Sequence, residues 1–336
     1  VKTKLRKTYN LLIRIAIIII SYGFIYYEIF EKRDLNKLID VFIRQWQTDY
    51  FFIVSIIVFL LIILNWGIEA KKWQFLVRKI EDISLADSYK AVLTGVSVSA
   101  FTPNRIGEYF GRIFILKKAT RWEGIFVTIV GSLSQLMTTL ICGYIGILFF
   151  LPSYININNF FDVDLTWAVY FLSIFSVLFI LMIYFNISLV SHIIEKYFSK
   201  NWVKFKSYVK VLQKYSSIEL LKVLSYSMMR YLVFNLQLYL LLRILGVNVP
   251  ILHSLMLTSV MYYALATIPT IALTELGVRG SVIIFLFEIY FSKTAQYTEE
   301  IGLAVFTASS TLWLINIILP ALVGTIFVYR LKFFRK

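Results

Sequence analysis

Runs of about twenty apolar residues, separated by short charged stretches, dominate the chain. They fall over Leu11 to Ile29, Tyr50 to Glu69, Gly124 to Leu151, Trp167 to Ser188, Val223 to Leu245 and Ile301 to Tyr329. A hydrocarbon core about 30 Å thick takes roughly 20 residues of helix to cross, so each run predicts a transmembrane helix. Two further apolar stretches are interrupted. Ala91 to Phe101 meets Thr102-Pro103-Asn104-Arg105-Ile106-Gly107-Glu108 before Tyr109 to Leu116 resumes. Ile251 to Ile271 meets Ala272-Leu273-Thr274-Glu275-Leu276-Gly277-Val278-Arg279-Gly280 before Ser281 to Phe291. The arm from Ala91 to Phe101 reaches only about 16 Å as a helix, too little to cross. That region is read as entering the bilayer, turning at Pro103 and Gly107, and returning, with Pro269 and Gly277 marking the break in the second. The same pattern also allows each arm to be a short or tilted span. The expected fold class is all-α: a polytopic helical membrane protein, one domain over residues 1–336, with about six full spans plus two broken, re-entrant helical hairpins.

Charge orients these elements. Lys2, Lys4, Arg6 and Lys7 at the start and Arg330, Lys332, Arg335 and Lys336 at the end put both termini on the cytoplasmic side, as six crossings require. Lys71, Lys72, Arg78, Lys79, Lys90, Arg112, Lys117, Lys118 and Arg121 between the second and third spans agree. The predicted outer loop from Pro152 to Leu165 has no Lys or Arg and carries Asp162 and Asp164. The first outer loop is mixed, with Lys32, Arg33, Lys37 and Arg44 balanced by Glu31, Asp34, Asp40 and Asp49, and is expected to lie at the interface. The basic start, Val1 to Asn10, leads into a retained first helix rather than a cleaved signal, because no small-residue cleavage site follows. The bacterial cytoplasmic (inner) membrane is the expected location.

Composition narrows the function classes. Hydrophobic residues are 59% of the chain and mean hydropathy is +0.77, which sets aside a soluble enzyme domain. The net charge of +15 lies in short blocks between spans, so it speaks for membrane orientation and anionic lipid rather than nucleic acid. In residues 192–222, Lys196, Lys200, Lys204, Lys206, Lys210 and Lys214 alternate with Ile193, Ile194, Phe198, Trp202, Phe205, Val209 and Leu212. That is the pattern of a basic amphipathic helix on the cytoplasmic leaflet, where each lysine near anionic lipid contributes about 1 kcal/mol, or of a docking site for a partner protein. Cys142 is the single cysteine, and His192 and His253 are far apart without ligand-like neighbours, so no metal site or other cofactor is expected.

The candidate chemistry sits at the two breaks. A charge inside the bilayer costs about 3 kcal/mol unless it pairs or faces a wet cavity, so Arg105 and Glu108 beside Pro103 and Gly107 are candidate site residues. The guanidinium fork suits a phosphate diester, freed backbone N–H groups add to an anion site, and Thr102 and Asn104 can supply neutral hydrogen bonds. The spacing also allows Arg105 and Glu108 to pair on one helical face and simply hold the bend. Glu275 and Arg279, four residues apart beside Gly277 and Gly280, repeat the theme, again with a structural salt bridge as the competing reading. Arg14, Glu69, Arg230 and Arg243 lie near predicted span ends and are expected to reach for the interface, while Glu288 is placed deeper. Gln135 and Asn235 are expected to hydrogen-bond between helices, and Gly143 and Gly146 to mark close packing.

The string Thr102 to Glu108, with Gly111 and Arg112 behind it, resembles the signature of the lysylphosphatidylglycerol synthase transmembrane-region family of flippase-like membrane proteins. The second broken region is similar to that family's C-terminal motif: Gly277-Val278-Arg279 matches its centre, while Gly280 stands where an acid is usual and Glu275 lies upstream. The resemblance covers essentially the whole chain. It implies movement of a phosphate-bearing lipid between leaflets, such as an aminoacylated phosphatidylglycerol or a lipid-linked precursor, with a lipid-modifying enzyme as a possible partner. It does not imply synthesis, because the aminoacyl-transfer domain of two-domain members would follow the last span and the sequence ends at Lys336. Two other readings stand beside it: a membrane-embedded lipid-modifying transferase, and a non-transporting partner of a lipid-synthesis complex. Cargo, energy coupling, direction and oligomeric state are not legible in the sequence.

Overall fold

A computed structural model of the chain describes residues 49–100, 102, 105–154, 166–189, 208–268, 272–292 and 297–328, with isolated positions 43, 191 and 193. These residues are helical with no strand: α1 Asp49–Val77, α2 Leu85–Ser99, α3 Gly107–Ile113, α4 Arg121–Tyr154, α5 Thr166–Phe185, α6 Ser217–Ile244, α7 Ile251–Thr267, α8 Ala272–Ser292, α9 Glu299–Trp313 and α10 Leu319–Val328. A π turn, Leu314–Ile318, joins α9 to α10, and a 3-10 turn, Lys210–Lys214, precedes α6.

Among the described residues, three helical stretches are long and apolar enough to cross a bilayer by themselves, over Tyr50–Val77, Arg121–Phe150 and Glu299–Val328. They coincide with three of the six expected spans. The run from Leu11 to Ile29 lies outside the described residues, as does most of the mixed loop after it, whose Asp49 opens α1. In α5 the apolar stretch is shorter, Tyr170–Phe185, and it exposes Phe171, Leu172, Phe175, Leu178 and Phe179. In α6 the 28 residues are long enough, but Glu219, Lys222, Arg230 and Arg243 interrupt the apolar pattern and Ser227, Asn235 and Gln237 are buried. Its inward face is polar because it borders the site described below.

Local sequence starts the helices where polar loops give way to apolar runs. Ser84 accepts from the Asp87 N–H at 3.0 Å to open α2. Ser216 and Glu219 form a reciprocal capping box at α6, and Thr120 and Glu123 do the same before α4. Phe52, Ile53, Ile56, Phe59, Leu60 and Ile63 leave one face of α1 exposed, as a lipid-facing surface requires. Inside, one apolar core gathers around Trp73, Leu76, Val92, Val127 and Leu220, and a second around Leu238, Leu257, Met261, Phe287 and Val305. Along α6, Ser227, Arg230, Tyr231 and Asn235 lie between the residues of the first core and those of the second.

The first broken region is a tight helical hairpin. Helices α2 and α3, with 15 and 7 residues, pack on each other: Gly111 sits against the Gly95 backbone and Gly107 against the Val98 carbonyl. Any side chain at those glycines would occupy space already filled by the opposing backbone. Behind the hairpin, Ser97 Oγ donates to the Ala321 carbonyl at 2.6 Å and Gly324 packs on Leu93, so α10 backs α2. The second broken region is α7 and α8, which meet at Ile268 and Ala272 with Pro269 outside the described residues. The expectation that the chain breaks at Gly277 is corrected here: α8 runs unbroken through Gly277 and Gly280, because no proline or second glycine adjoins Gly277 to interrupt the hydrogen-bond ladder. Gly280 instead packs against the Phe306 ring of α9. The close-packing role of Gly143 and Gly146 holds, since they admit Tyr263 and the Met256 carbonyl of α7 onto α4.

The glycines provide a paired test. In Gly111→Val, the new Cβ would stand 2.5 Å from the Gly95 Cα and 2.8 Å from the Thr94 carbonyl, and the loss is expected to be about 1–3 kcal/mol. Nothing lies within 4 Å of a Cβ at Gly277, so Gly277→Ala should gain about 0.5–1 kcal/mol from helix propensity. Thermal unfolding in detergent checks both, and a large fall in Tm for Gly277→Ala would restore the break at that position.

Candidate functional site

The tip of the first hairpin carries Arg105, the one described non-glycine residue with a positive φ, 56°. A left-handed backbone costs a residue with a Cβ of order 1–3 kcal/mol and is kept only where the surroundings hold it. Two contacts do so. Thr102 Oγ1 accepts the Gly107 N–H at 2.8 Å and donates to the Ser99 carbonyl at 3.2 Å, which fixes the turn between α2 and α3. Arg105 Nη2 then reaches both oxygens of Glu275, at 2.9 and 3.0 Å, on the first turn of α8. The two broken regions, 170 residues apart in sequence, are thereby joined by one guanidinium.

This differs from the expected Arg105–Glu108 pair. The left-handed turn takes Arg105 off the path of α3, which begins at Gly107, so helical spacing does not bring the two together. Glu108 instead pairs with Arg112, one turn along α3. The expected Glu275–Arg279 pair is present, with Arg279 Nη2 at 3.0 Å from Glu275 Oε1 and its guanidinium 5.5 Å from the Tyr262 ring centroid. Thr102 acts on the turn itself, while Asn104 and Pro103 lie outside the described residues.

A second charged group was not anticipated. Glu69, buried within α1, meets Lys72 of the same helix, Arg112 of α3 and Arg230 of α6, each at 2.8 Å. The expectation that Glu69 and Arg230 reach for the membrane interface is corrected here. Helix α1 continues eight residues beyond Glu69 to Val77, roughly 12 Å, and Arg230 lies at the middle of α6. The residues carried a faint signal: Asn65, Glu69 and Lys72 repeat at helical spacing, and Arg112 follows Glu108 by four. Arg230 also stacks between Trp66 and Phe234, 4.8 and 5.3 Å from the ring centroids, and donates through Nε to Asn65 at 3.0 Å. Asn65 in turn donates to Asn316, and Asn316 to Gln237 at 3.0 Å. Asn316 lies in the π turn, where the Leu319 N–H reaches back to Leu314, one residue before Pro320, which has no N–H to offer the Asn316 carbonyl.

The remaining polar expectations divide. Asn235 donates within its own helix, to the Tyr231 carbonyl, rather than between helices. Gln135 Oε1 is buried with no partner among the described residues. Arg243 is exposed and donates to Asn248, and Glu288 is exposed rather than deep. Lys196, Lys200, Lys204 and Lys206 lie outside the described residues, while Lys210 and Lys214 are exposed on the 3-10 turn.

Both charged groups border two adjoining cavities with a shared wall, an inner lobe bearing Glu69 and an outer lobe bearing Arg279. The inner lobe, about 280 Å³, is lined by Glu69, Lys72, Ser99, Glu108, Ser132 and Thr139 among others. The outer lobe, about 520 Å³, is more aromatic, with Tyr231, Phe234, Tyr262, Leu265 and Trp313. Trp66, Arg105, Gln135, Arg230 and Glu275 line both. Arg105 stands at the junction with 44% of its side chain exposed, whereas Glu69, Arg112 and Arg279 are buried. Such a cavity can receive an anion beside an arginine already positioned in its wall and open to an entering ligand.

Removing one member of a buried pair strands the others. Glu69→Gln, which leaves three cations around a neutral amide, is expected to lose about 3–5 kcal/mol of stability. Arg105→Ala should change it little, because Arg279 still neutralises Glu275. Side-by-side melting curves decide this, and an unchanged Tm for Glu69→Gln would mean that the buried cluster does not hold the helices together.

The Lysylphosphatidylglycerol synthase TM region family matches residues 11–318, nearly the whole chain. No curated protein matches it. With its long apolar helices, the match makes this a membrane protein related to lipid synthesis or translocation. The chain belongs to the lysylphosphatidylglycerol synthase transmembrane-region family.

Proposed function

We propose that this protein is a lipid translocator, not an enzyme, and that it moves a phosphate-bearing lipid between the leaflets of the bacterial cytoplasmic membrane, with both termini on the cytoplasmic side. The observation that carries the reading is the exposed Arg105, which bridges two broken helical regions at a cavity wall rather than lying buried in a closed salt bridge. A headgroup phosphate entering the cavity competes with Glu275 for the guanidinium. When it succeeds, the contact joining the first hairpin to α8 is released, and the two regions are free to move apart around the bound headgroup. Glu275 keeps Arg279 as a partner throughout, so the released carboxylate is never left alone in a low dielectric. Aromatic walls in the outer lobe suit the less polar part of the same lipid, and a lipid-modifying enzyme is the natural supplier of cargo.

Glu69, Glu108 and Glu275, the carboxylates that line the cavity, are each held by an arginine.

Proteoliposomes carrying leaflet-distinguishable phosphatidylglycerol, its aminoacylated form or phosphatidic acid test the proposal. Wild-type protein is expected to redistribute at least one of them, and Arg105→Ala to slow this by tenfold or more while its Tm stays near wild type. Wild-type protein that redistributes none of the three lipids, in the presence or absence of an ion gradient, would remove the basis for the proposal.

A further inference from the structure

The side chains around the cavity do not balance in charge. Lys72, Arg105, Arg112, Arg230 and Arg279 line or back it, against Glu69, Glu108 and Glu275. Five cations face three carboxylates, an excess of two positive charges among the described residues. The excess is divided. Lys72, Arg112 and Arg230 share Glu69 and Glu108, leaving one charge at the inner lobe. Arg105 and Arg279 share Glu275, leaving a second at the junction of the lobes. Uncompensated charge inside a membrane-spanning bundle is costly, so the site is incomplete without an anion.

Two buried donors point the same way. Trp66 is 5% exposed and its Nε1 has no hydrogen-bond partner among the described residues, while Arg279 is 6% exposed and its Nε likewise has none among them. Both residues line the outer lobe, and Trp66 lines the inner lobe as well. Unpaired donors beside paired cations are what a multidentate acceptor would satisfy. A phosphodiester brings one negative charge, and a cationic aminoacyl group on the headgroup would cancel it. A phosphate monoester or a diphosphate brings about two charges at neutral pH or above and more acceptor oxygens.

Resting on the translocation reading for the purpose of the site, we infer that the cavity selects a lipid whose headgroup carries two negative charges, a phosphate monoester or diphosphate, over diester and cationic headgroups. Arg105, Arg230 and Trp66, which line both lobes, meet that group, with Lys72 on the inner lobe and Arg279 on the outer. The tail region follows the aromatic outer lobe.

Purified protein in neutral-lipid nanodiscs, titrated at pH 8 with dioleoyl phosphatidic acid, phosphatidylglycerol, lysyl-phosphatidylglycerol and inorganic phosphate, tests this by native mass spectrometry and thermal shift. Phosphatidic acid is expected to bind at least tenfold more tightly than phosphatidylglycerol, with lysyl-phosphatidylglycerol weakest and inorganic phosphate far weaker than the lipid. Arg105→Gln, which removes one charge at an exposed position, should bring phosphatidic acid and phosphatidylglycerol to within about twofold of each other. Equal binding of the two lipids by wild type, or tighter binding of lysyl-phosphatidylglycerol, overturns the inference even where lipid is translocated. Inorganic phosphate that matches phosphatidic acid overturns its lipid form. Selective phosphatidic acid binding without any translocation supports the inference while sinking the transport reading.

Discussion

The structure depends on one carboxylate that is never exposed. Glu69 lies inside α1, and the three cations around it come from that helix, from the short returning arm α3 and from the middle of α6. Each contact alone would be a modest salt bridge, but in a desolvated setting none can be released without stranding another charge. Helix positions that lipid packing would leave free to slide are thereby fixed. The short α3, seven residues long, has few apolar contacts of its own and is held by Arg112 and by its glycine contacts with α2. A polar anchor placed deep in the bundle is thus what allows an interrupted helix to lie beside uninterrupted ones.

The second charged group is of a different kind. Glu275 has two arginines, one on its own helix and one from the hairpin tip, and the latter sits on a left-handed backbone with much of its side chain exposed. Strain and exposure both lower the cost of letting that contact go. Where the Glu69 cluster resists change, the Arg105–Glu275 contact is suited to exchange, and the cavity lies against both. A rigid wall beside an exchangeable one is what the proposed translocation asks of a binding site.

Small residues make the approach possible. Gly95 and Gly111 let the arms of the hairpin touch backbone to backbone, Gly324 brings α10 to the back of α2, and Gly143 and Gly146 admit α7 onto α4. In lipid, where burial of apolar surface gives no preference for one helix neighbour over another, such contacts together with buried polar bonds set the arrangement. The Asn65–Asn316–Gln237 chain serves that end, and the π turn ahead of Pro320 contains the asparagine at its middle.

The apolar runs by themselves determined an all-helical membrane protein, and three of them reappear as helices long enough to cross. The interrupted strings also marked Arg105, Glu275 and Arg279, because a charge beside a proline or glycine in an apolar stretch stands out without any knowledge of neighbours. Spacing overreached at Gly277, where one glycine in an otherwise helical run was read as a break, and at Glu108, whose distance from Arg105 was counted along a helix that starts only at Gly107. Glu69 and Arg230 looked like span ends, and Lys72 and Arg112 like charges of a cytoplasmic connection, because hydropathy registers where an apolar run stops, not how far the helix continues beyond it. Which cation meets which carboxylate was decided only by tertiary structure. Electrostatic partners in a low dielectric are chosen by distance in space, and the pairs that matter, 43, 161 and 170 residues apart, have no periodicity along the chain to reveal them.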